Sequence, residues 1–190
     1  MTTAIYPGSF DPITLGHLNI IRRASRIFDK VVVCVMVNSA KHPMFTRDER
    51  MELIERVVKH LPNVQVDTSD ILLAEYVKRY ERPVLLKGLR AVSDFESEFQ
   101  MALINNNLNH NLDTIFLPSS EKYTYISSSV VKEMAKYGSD LRKFVPREIL
   151  NDVIERSKQQ EGKRNGEGCP GAGGNALYHG DGGMGRPARQ

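Results

Sequence analysis

Three strings in this chain combine residue types suited to phosphate. They are Gly8-Ser9-Phe10-Asp11-Pro12-Ile13-Thr14-Leu15-Gly16-His17, then Lys87-Gly88-Leu89-Arg90-Ala91-Val92-Ser93-Asp94-Phe95-Glu96, and finally Tyr123-Thr124-Tyr125-Ile126-Ser127-Ser128-Ser129 followed by Val130-Val131-Lys132. In the first, Pro7 and Gly8 break a short extended run, and apolar residues at helical spacing begin directly after Gly16, at Leu18, Ile21, Ala24 and Phe28. His17 therefore stands at a helix N-terminus, where unpaired N–H groups and the macrodipole favour an anion. Gly16 lets that anion approach the main chain, and the imidazole adds a donor. In the second string, Lys87 and Arg90 flank Gly88 at a strand end, and the guanidinium fork suits phosphate oxygens or the face of a base. In the third, consecutive serines offer hydroxyl caps and free N–H groups at another helix start. Each string taken alone also has a plainer reading: a turn, two solvated cations, a helix cap.

The elements that must position these residues follow from periodicity. Thr3 to Tyr6 reads as a first strand. Lys30 to Val37 is a β-branched run without polar alternation, as expected of a central strand covered on both faces of a parallel sheet. Asn38 to Phe45 is then a polar loop carrying Lys41. Thr46-Arg47-Asp48-Glu49 has capping-box spacing, and Met51, Ile54, Val57, Val58 and Leu61 share one helical face. Val64 to Thr68 and Pro83 to Lys87 read as strands around a helix from Ile71 to about Tyr80, capped by Ser69 or Asp70. Ser93 and Glu96 have the spacing to open a long helix to about Asn109, with Phe95, Phe99, Ala102 and Leu103 assigned to the core. Asp113 to Leu117 is a fifth strand, Gly138 suits a helix C-cap, and Pro146 starts a last helix ending near Lys158. The expected architecture is α/β, a Rossmann-like doubly wound five-stranded parallel sheet. Right-handed crossovers would bring Ser9, His17, Lys41, Lys87 and Arg90 to the same edge of the sheet.

Composition bounds the alternatives. The 190 residues, 41% apolar, suffice for one substantial core, and 26 basic against 23 acidic residues (net +3) do not suggest a nucleic-acid binder. The longest strongly apolar stretch, Val31 to Val37, is far too short to span a bilayer, so the chain is expected to be soluble and unexported, with no membrane partner. Cys34 reads as buried packing and Cys169 lies in the tail, so neither a disulfide nor a zinc site is expected. Ten of the 14 glycines fall after Gln159. The expected division is therefore a domain at 1–158 and a Gly-rich, disordered tail at 159–190.

The ordered string GSFDPITLGH resembles the signature of the HxGH nucleotidyltransferases, with Thr14 where many members carry the first His. KGLRAVSDFE and ISSSxVK extend the likeness to the bacterial phosphopantetheine adenylyltransferase family, over about Thr2 to Lys158. Two further departures are Lys87, where many relatives have Arg, and Ser97, where relatives commonly have Tyr. The resemblance implies a nucleotidyltransferase that moves the adenylyl group of ATP to 4′-phosphopantetheine, forming dephospho-coenzyme A and pyrophosphate. On that basis His17, Lys41, Lys87 and Arg90 are the catalytic candidates. ATP would be held by Ser9, Phe10, His17, Gly88, Leu89, Arg90, Glu98, Tyr123, Thr124, Tyr125, Ile126, Ser127, Ser128 and Ser129. The acceptor would be held by Ser9, Lys41, Leu73 and Lys87. Mg²⁺ is expected with ATP, held by phosphates and water rather than by protein metal ligands. The resemblance further implies a cytoplasmic homohexamer inhibited by coenzyme A. Three other readings stand beside it. A nucleotidyltransferase for glycerol phosphate or nicotinamide mononucleotide would usually keep the first His and lack KGLRAVSDFE. A catalytically silent nucleotide-binding module would not need His17, Lys41, Lys87 and Arg90. A redox Rossmann protein would want GxGxxG.

Overall fold

The computed structural model describes residues 1–36 and 43–166. Its strands are β1 (Thr3–Gly8), β2 (Lys30–Met36), β3 (Val64–Ser69), β4 (Pro83–Leu89) and β5 (Asp113–Pro118), all parallel in the order β3-β2-β1-β4-β5. The helices are α1 (Leu15–Ile27), α2 (Arg47–Val58), α3 (Leu73–Tyr76), α4 (Val92–Leu108), α5 (Ser128–Lys136) and α6 (Leu150–Gly166). The strand alternation sorts side chains onto two faces. Ala4, Tyr6, Val31, Val33 and Val35 join one core cluster with residues of α1, α2, α5 and α6, while Ile5, Val32 and Cys34 join a second with Tyr76, Val77, Leu85 and Leu112. Among the described residues the first holds 24 buried residues and the second seven, so one face is thickly covered and the other thinly.

The sheet order makes a crevice. β1 and β4 are neighbours although their connections run to opposite sides, the switch point where open α/β sheets bind ligands. Their register covers only Thr3↔Pro83, Ala4↔Val84 and Ile5↔Leu85. Beyond Ile5, β1 continues against β2 through Gly8↔Val35, and β4 continues against β5 through Leu89↔Pro118. The two central strands therefore part over their last turns, and the gap opens at the carboxyl edge.

Several expectations are corrected. The helix expected from Ile71 to Tyr80 is a single turn, α3, extended by a 3₁₀ turn at Val77–Arg79. Ser69 does not cap it, because its hydroxyl accepts the Ile71 N–H two residues on. β4 runs past Lys87 to Leu89, which puts Gly88 inside the strand; a Cβ there would come within 3.1 Å of Ile20 Cγ1, so this glycine allows α1 to lie on β4. α4 starts after Ala91 without a side-chain cap, so the expected Ser93–Glu96 box is not what opens it. Phe95, Phe99 and Leu103 do not reach the core: they are 41–57% exposed, since α4 lies on the thinly covered face. Pro146 precedes a 3₁₀ turn, Arg147–Ile149, and α6 continues through Gly166, past the boundary expected at Lys158. Gly138 has φ +65° just beyond α5, as a C-cap glycine should. Among the described residues no helix is long and apolar enough to cross a membrane.

Candidate active site

One wall of the crevice is the β1–α1 turn. Thr14 is the N-cap of α1, and its hydroxyl accepts the His17 N–H at 3.3 Å while His17 Nδ1 accepts the Thr14 N–H at 3.2 Å. This reciprocal pair is a capping box in which an imidazole does the work usually done by a carboxylate. Because Nδ1 is an acceptor there, the ring proton sits on Nε2. Phe10 adopts φ +46°, and its buried ring meets His17 edge-on at 5.1 Å and Tyr6 at 5.3 Å. A Cβ on Gly8 would strike that ring at 2.9 Å, so Gly8 is what lets the phenyl group fold back over the turn. Burial under these rings, with a smaller push from the Arg90 cation, lowers the His17 pKa to about 4. At neutral pH the residue is an uncharged N–H donor.

Asp11 fixes the turn to the rest of the fold. It is 4% exposed, and its carboxylate accepts from the Met44 and Phe45 N–H groups, both at 2.9 Å, and from Lys132 Nζ at 3.0 Å. Arg50, 5% exposed, gives Nη1 to the Ser9 carbonyl at 2.7 Å and Nε to the Thr46 carbonyl at 3.3 Å. Arg156 donates to the Met44 carbonyl and pairs with Glu49.

The opposite wall is β4 with the start of α4. Lys87 Nζ lies 2.9 Å from Glu98 Oε2, and Arg90 meets Asp94 through Nε at 3.0 Å and Nη2 at 3.3 Å. Asp94 and Glu98 are one helical turn apart, so a single face of α4 presents a carboxylate to each cation.

The third component is the start of α5, where the three serines divide their hydroxyls. Ser127 Oγ caps the helix by accepting the Val130 N–H at 3.1 Å, and Ser128 Oγ donates to the Pro12 carbonyl at 2.8 Å. Among the described residues Ser129 Oγ has no partner and so remains available to a ligand.

Ser9, His17, Lys87, Gly88, Arg90, Glu98, Ile126, Ser127, Ser128 and Ser129 all line one solvent-open cleft of about 290 Å³, together with Tyr6, Gly8, Gly16, Ile20 and Asp94. Phe10 is not among the lining residues; its ring packs on two of them, Tyr6 and His17. Leu89 and Tyr123 to Tyr125 are not among the residues lining this cleft, though the Tyr123 carbonyl lies 3.7 Å from a Cβ built on Gly16. Leu73 is also away from it: it packs on the second core cluster beside Met36 and Tyr80. Lys41 lies outside the described residues. Reading the sequence gave no role to Asp11 and Lys132, although both stand in the quoted strings, and missed Arg50. Arg50 left a trace, since it occupies the apolar face of α2 four residues before Ile54. The cleft can bind anions through N–H dipoles and two cations, and it offers a neutral imidazole donor between them. Asp94 and Glu98 are each held against a cation, and among the described residues no group of three His, Cys, Asp or Glu could hold a metal ion. A resident, protein-coordinated ion does not fit this arrangement.

Residues 5–134 match the cytidylyltransferase-like family. Curated relatives agree. The chain is 52% identical over 158 residues to a phosphopantetheine adenylyltransferase of Clostridium botulinum, covering 83% of this chain and 99% of that one. It is 52% identical over 159 residues to one of Caldanaerobacter subterraneus subsp. tengcongensis, covering 84% and 99%. A solved Plasmodium falciparum nicotinic acid mononucleotide adenylyltransferase superposes with a TM-score of 0.58 at 15% identity, over 84% of this chain and 96% of that one, a likeness of fold. With its signature strings placed around one crevice and about half of the aligned residues identical along nearly the whole length of these relatives, the chain belongs to the phosphopantetheine adenylyltransferase family of cytidylyltransferase-like nucleotidyltransferases.

Proposed function

We propose that this protein transfers the adenylyl group of ATP to 4′-phosphopantetheine, forming dephospho-coenzyme A and pyrophosphate in coenzyme A biosynthesis. Family membership supports the reaction. The single structural observation that supports its place is the parting of β1 and β4, which lines one crevice with His17, Lys87, Arg90 and the start of α5.

The chemistry requires little beyond placement. A phosphate oxygen of the acceptor attacks the α-phosphorus in line, the bond to the bridging oxygen breaks, and pyrophosphate leaves. The nucleophile is already an anion, so neither a base nor a covalent intermediate is needed. What must be countered is negative charge on the equatorial oxygens and the leaving group. His17 Nε2–H would donate to the α-phosphate. Ser9 and the Phe10 main chain would hold both reactants, and Lys87, with Lys41, would orient the acceptor phosphate. Arg90, Ser129 and the α5 N–H groups would hold the β and γ phosphates. Magnesium would enter as part of Mg·ATP, coordinated by the phosphates and water.

Assembly and regulation extend the proposal. Phe95, Phe99, Met101, Leu103, Ile104 and Leu108 are 41–57% exposed along α4, which supports assembly of copies through this helix, in the family's hexamer. Coenzyme A contains the acceptor's own pantetheine moiety, and on that chemistry it would compete for the same cleft as a feedback inhibitor. A cytoplasmic location follows from the same pathway assignment.

Pyrophosphate release with Mg·ATP is the test, using 4′-phosphopantetheine, nicotinamide mononucleotide and glycerol 3-phosphate as acceptors. Turnover is expected with the first alone, and His17→Ala should lower it roughly a hundredfold or more while leaving the fold intact. Turnover confined to either other acceptor would overturn the assignment, and near-normal turnover of His17→Ala would remove the role given to the imidazole.

A further inference from the structure

The two cations on the β4 side are held in different ways. Asp94 receives three contacts from Arg90: Nε at 3.0 Å, Nη2 at 3.3 Å and the backbone N–H at 3.3 Å. If the guanidinium turned toward a phosphate, Asp94 would keep the backbone donor. Among the described residues Glu98 has no such reserve at Oε2. Its Oε2 is shut off from solvent and makes no hydrogen bond, and its near polar neighbour among the described residues is the Lys87 ammonium at 2.9 Å. Both side chains are partly enclosed, Lys87 at 20% and Glu98 at 32% exposure, and both line the cleft.

A carboxylate oxygen shut off from solvent, as Glu98 Oε2 is, loses stabilisation when its counter-ion is drawn away. An acceptor phosphate that draws Lys87 away creates that situation, unless another donor reaches Glu98 in the same bound state. The hydroxyls of a ribose and the exocyclic amine of adenine are such donors. We propose that the Lys87–Glu98 pair is a latch coupling the two substrates: the acceptor phosphate takes Lys87, the nucleoside takes Glu98, and each makes the other's departure from the pair less costly. The latch rests on the assignment of both substrates to this cleft. Because coupling is reciprocal, ATP tightens acceptor binding by the same factor as the acceptor tightens ATP binding.

The test is calorimetric titration of the full chain with 4′-phosphopantetheine, alone and saturated with Mg·α,β-methylene-ATP, in which the adenylyl group cannot be transferred. Acceptor affinity is expected to rise about fivefold or more with the nucleotide present. Glu98→Gln should tighten acceptor binding in the absence of nucleotide and abolish the further gain from it. Lys87→Met should weaken acceptor binding, and in the double variant it should erase the effect of Glu98→Gln. Equal acceptor affinity with and without nucleotide in the unaltered protein overturns the latch. So does a Glu98→Gln variant of unchanged melting temperature that binds acceptor more weakly by itself or keeps the full gain. Pyrophosphate release reports on the reaction independently, so intact turnover without coupling breaks the latch and leaves the reaction standing.

Discussion

The two walls of the cleft are built on opposite terms. The β1–α1 wall is set into the thick core: α1 buries Leu18, Ile20, Ile21 and Ala24, and the enclosed groups of Asp11 and Arg50 bond its turn to distant backbone. The β4–α4 wall stands on the thin face. Its helix shows six large apolar side chains to solvent, and its cations are held by ion pairs that border the cleft. On the roles proposed for these residues, preorganisation would be concentrated around His17, and the capacity to rearrange around Lys87 and Arg90, whose internal partners a substrate would have to replace.

The strongest challenge to this contrast is a pair of truncations. Asp11→Ala leaves two buried N–H groups and Lys132 without their acceptor and should cost about 2–4 kcal/mol of stability. Asp94→Ala removes a more exposed pair and should cost less than about 1 kcal/mol. Denaturant titration of both variants checks it, and equal losses would mean that the walls do not differ. A smaller effect sharpens the first wall alone. His17 has a folded pKa of about 4 against an ordinary value of 6.5, so between those values the unfolded chain binds more protons and stability falls as pH is lowered. Moving from pH 7 to 5 should cost on the order of 1–2 kcal/mol through this group. His17→Gln should flatten that part of the pH–stability curve, and an unchanged slope would mean the imidazole is not enclosed as described. The smallest effect belongs to α4. Phe99→Ser should change the stability of a dilute, lone chain by less than about 0.5 kcal/mol. A larger loss that depends on protein concentration would show that a second copy covers the helix.

What the sequence disclosed follows the range of the interactions involved. Val31 to Val35 is buried on both sides of the sheet, as an unalternating β-branched run implies. His17 at a helix start and the caps at Thr46 and Ser127 were legible because capping is local, spanning three residues. Gathering Ser9, His17, Lys87 and Arg90 at one edge required only strand order and crossover handedness. The missed roles span long separations: Asp11 reaches 33, 34 and 121 residues along the chain, and Arg50 reaches 41. Nothing local announces such bonds. Phe99 and Leu103 misled for the converse reason, since helical spacing of apolar residues reports a face seeking cover but not whether this chain supplies it. Leu73 came from the family resemblance alone, outside the three quoted strings, and the single turn that carries it sits on the second core cluster.

The placement of Cys34 bears on the acceptor's far end. The residue is 0% exposed between strands, and burial pushes its thiol up to about 11. 4′-Phosphopantetheine terminates in a sulfhydryl, and once that sulfur is oxidised to a disulfide an accessible protein thiolate can attack it, forming a mixed disulfide and releasing the other sulfur as a thiol. Sealing this sulfur inside the sheet keeps it out of covalent exchange, so a reactive cargo can pass through without being trapped there.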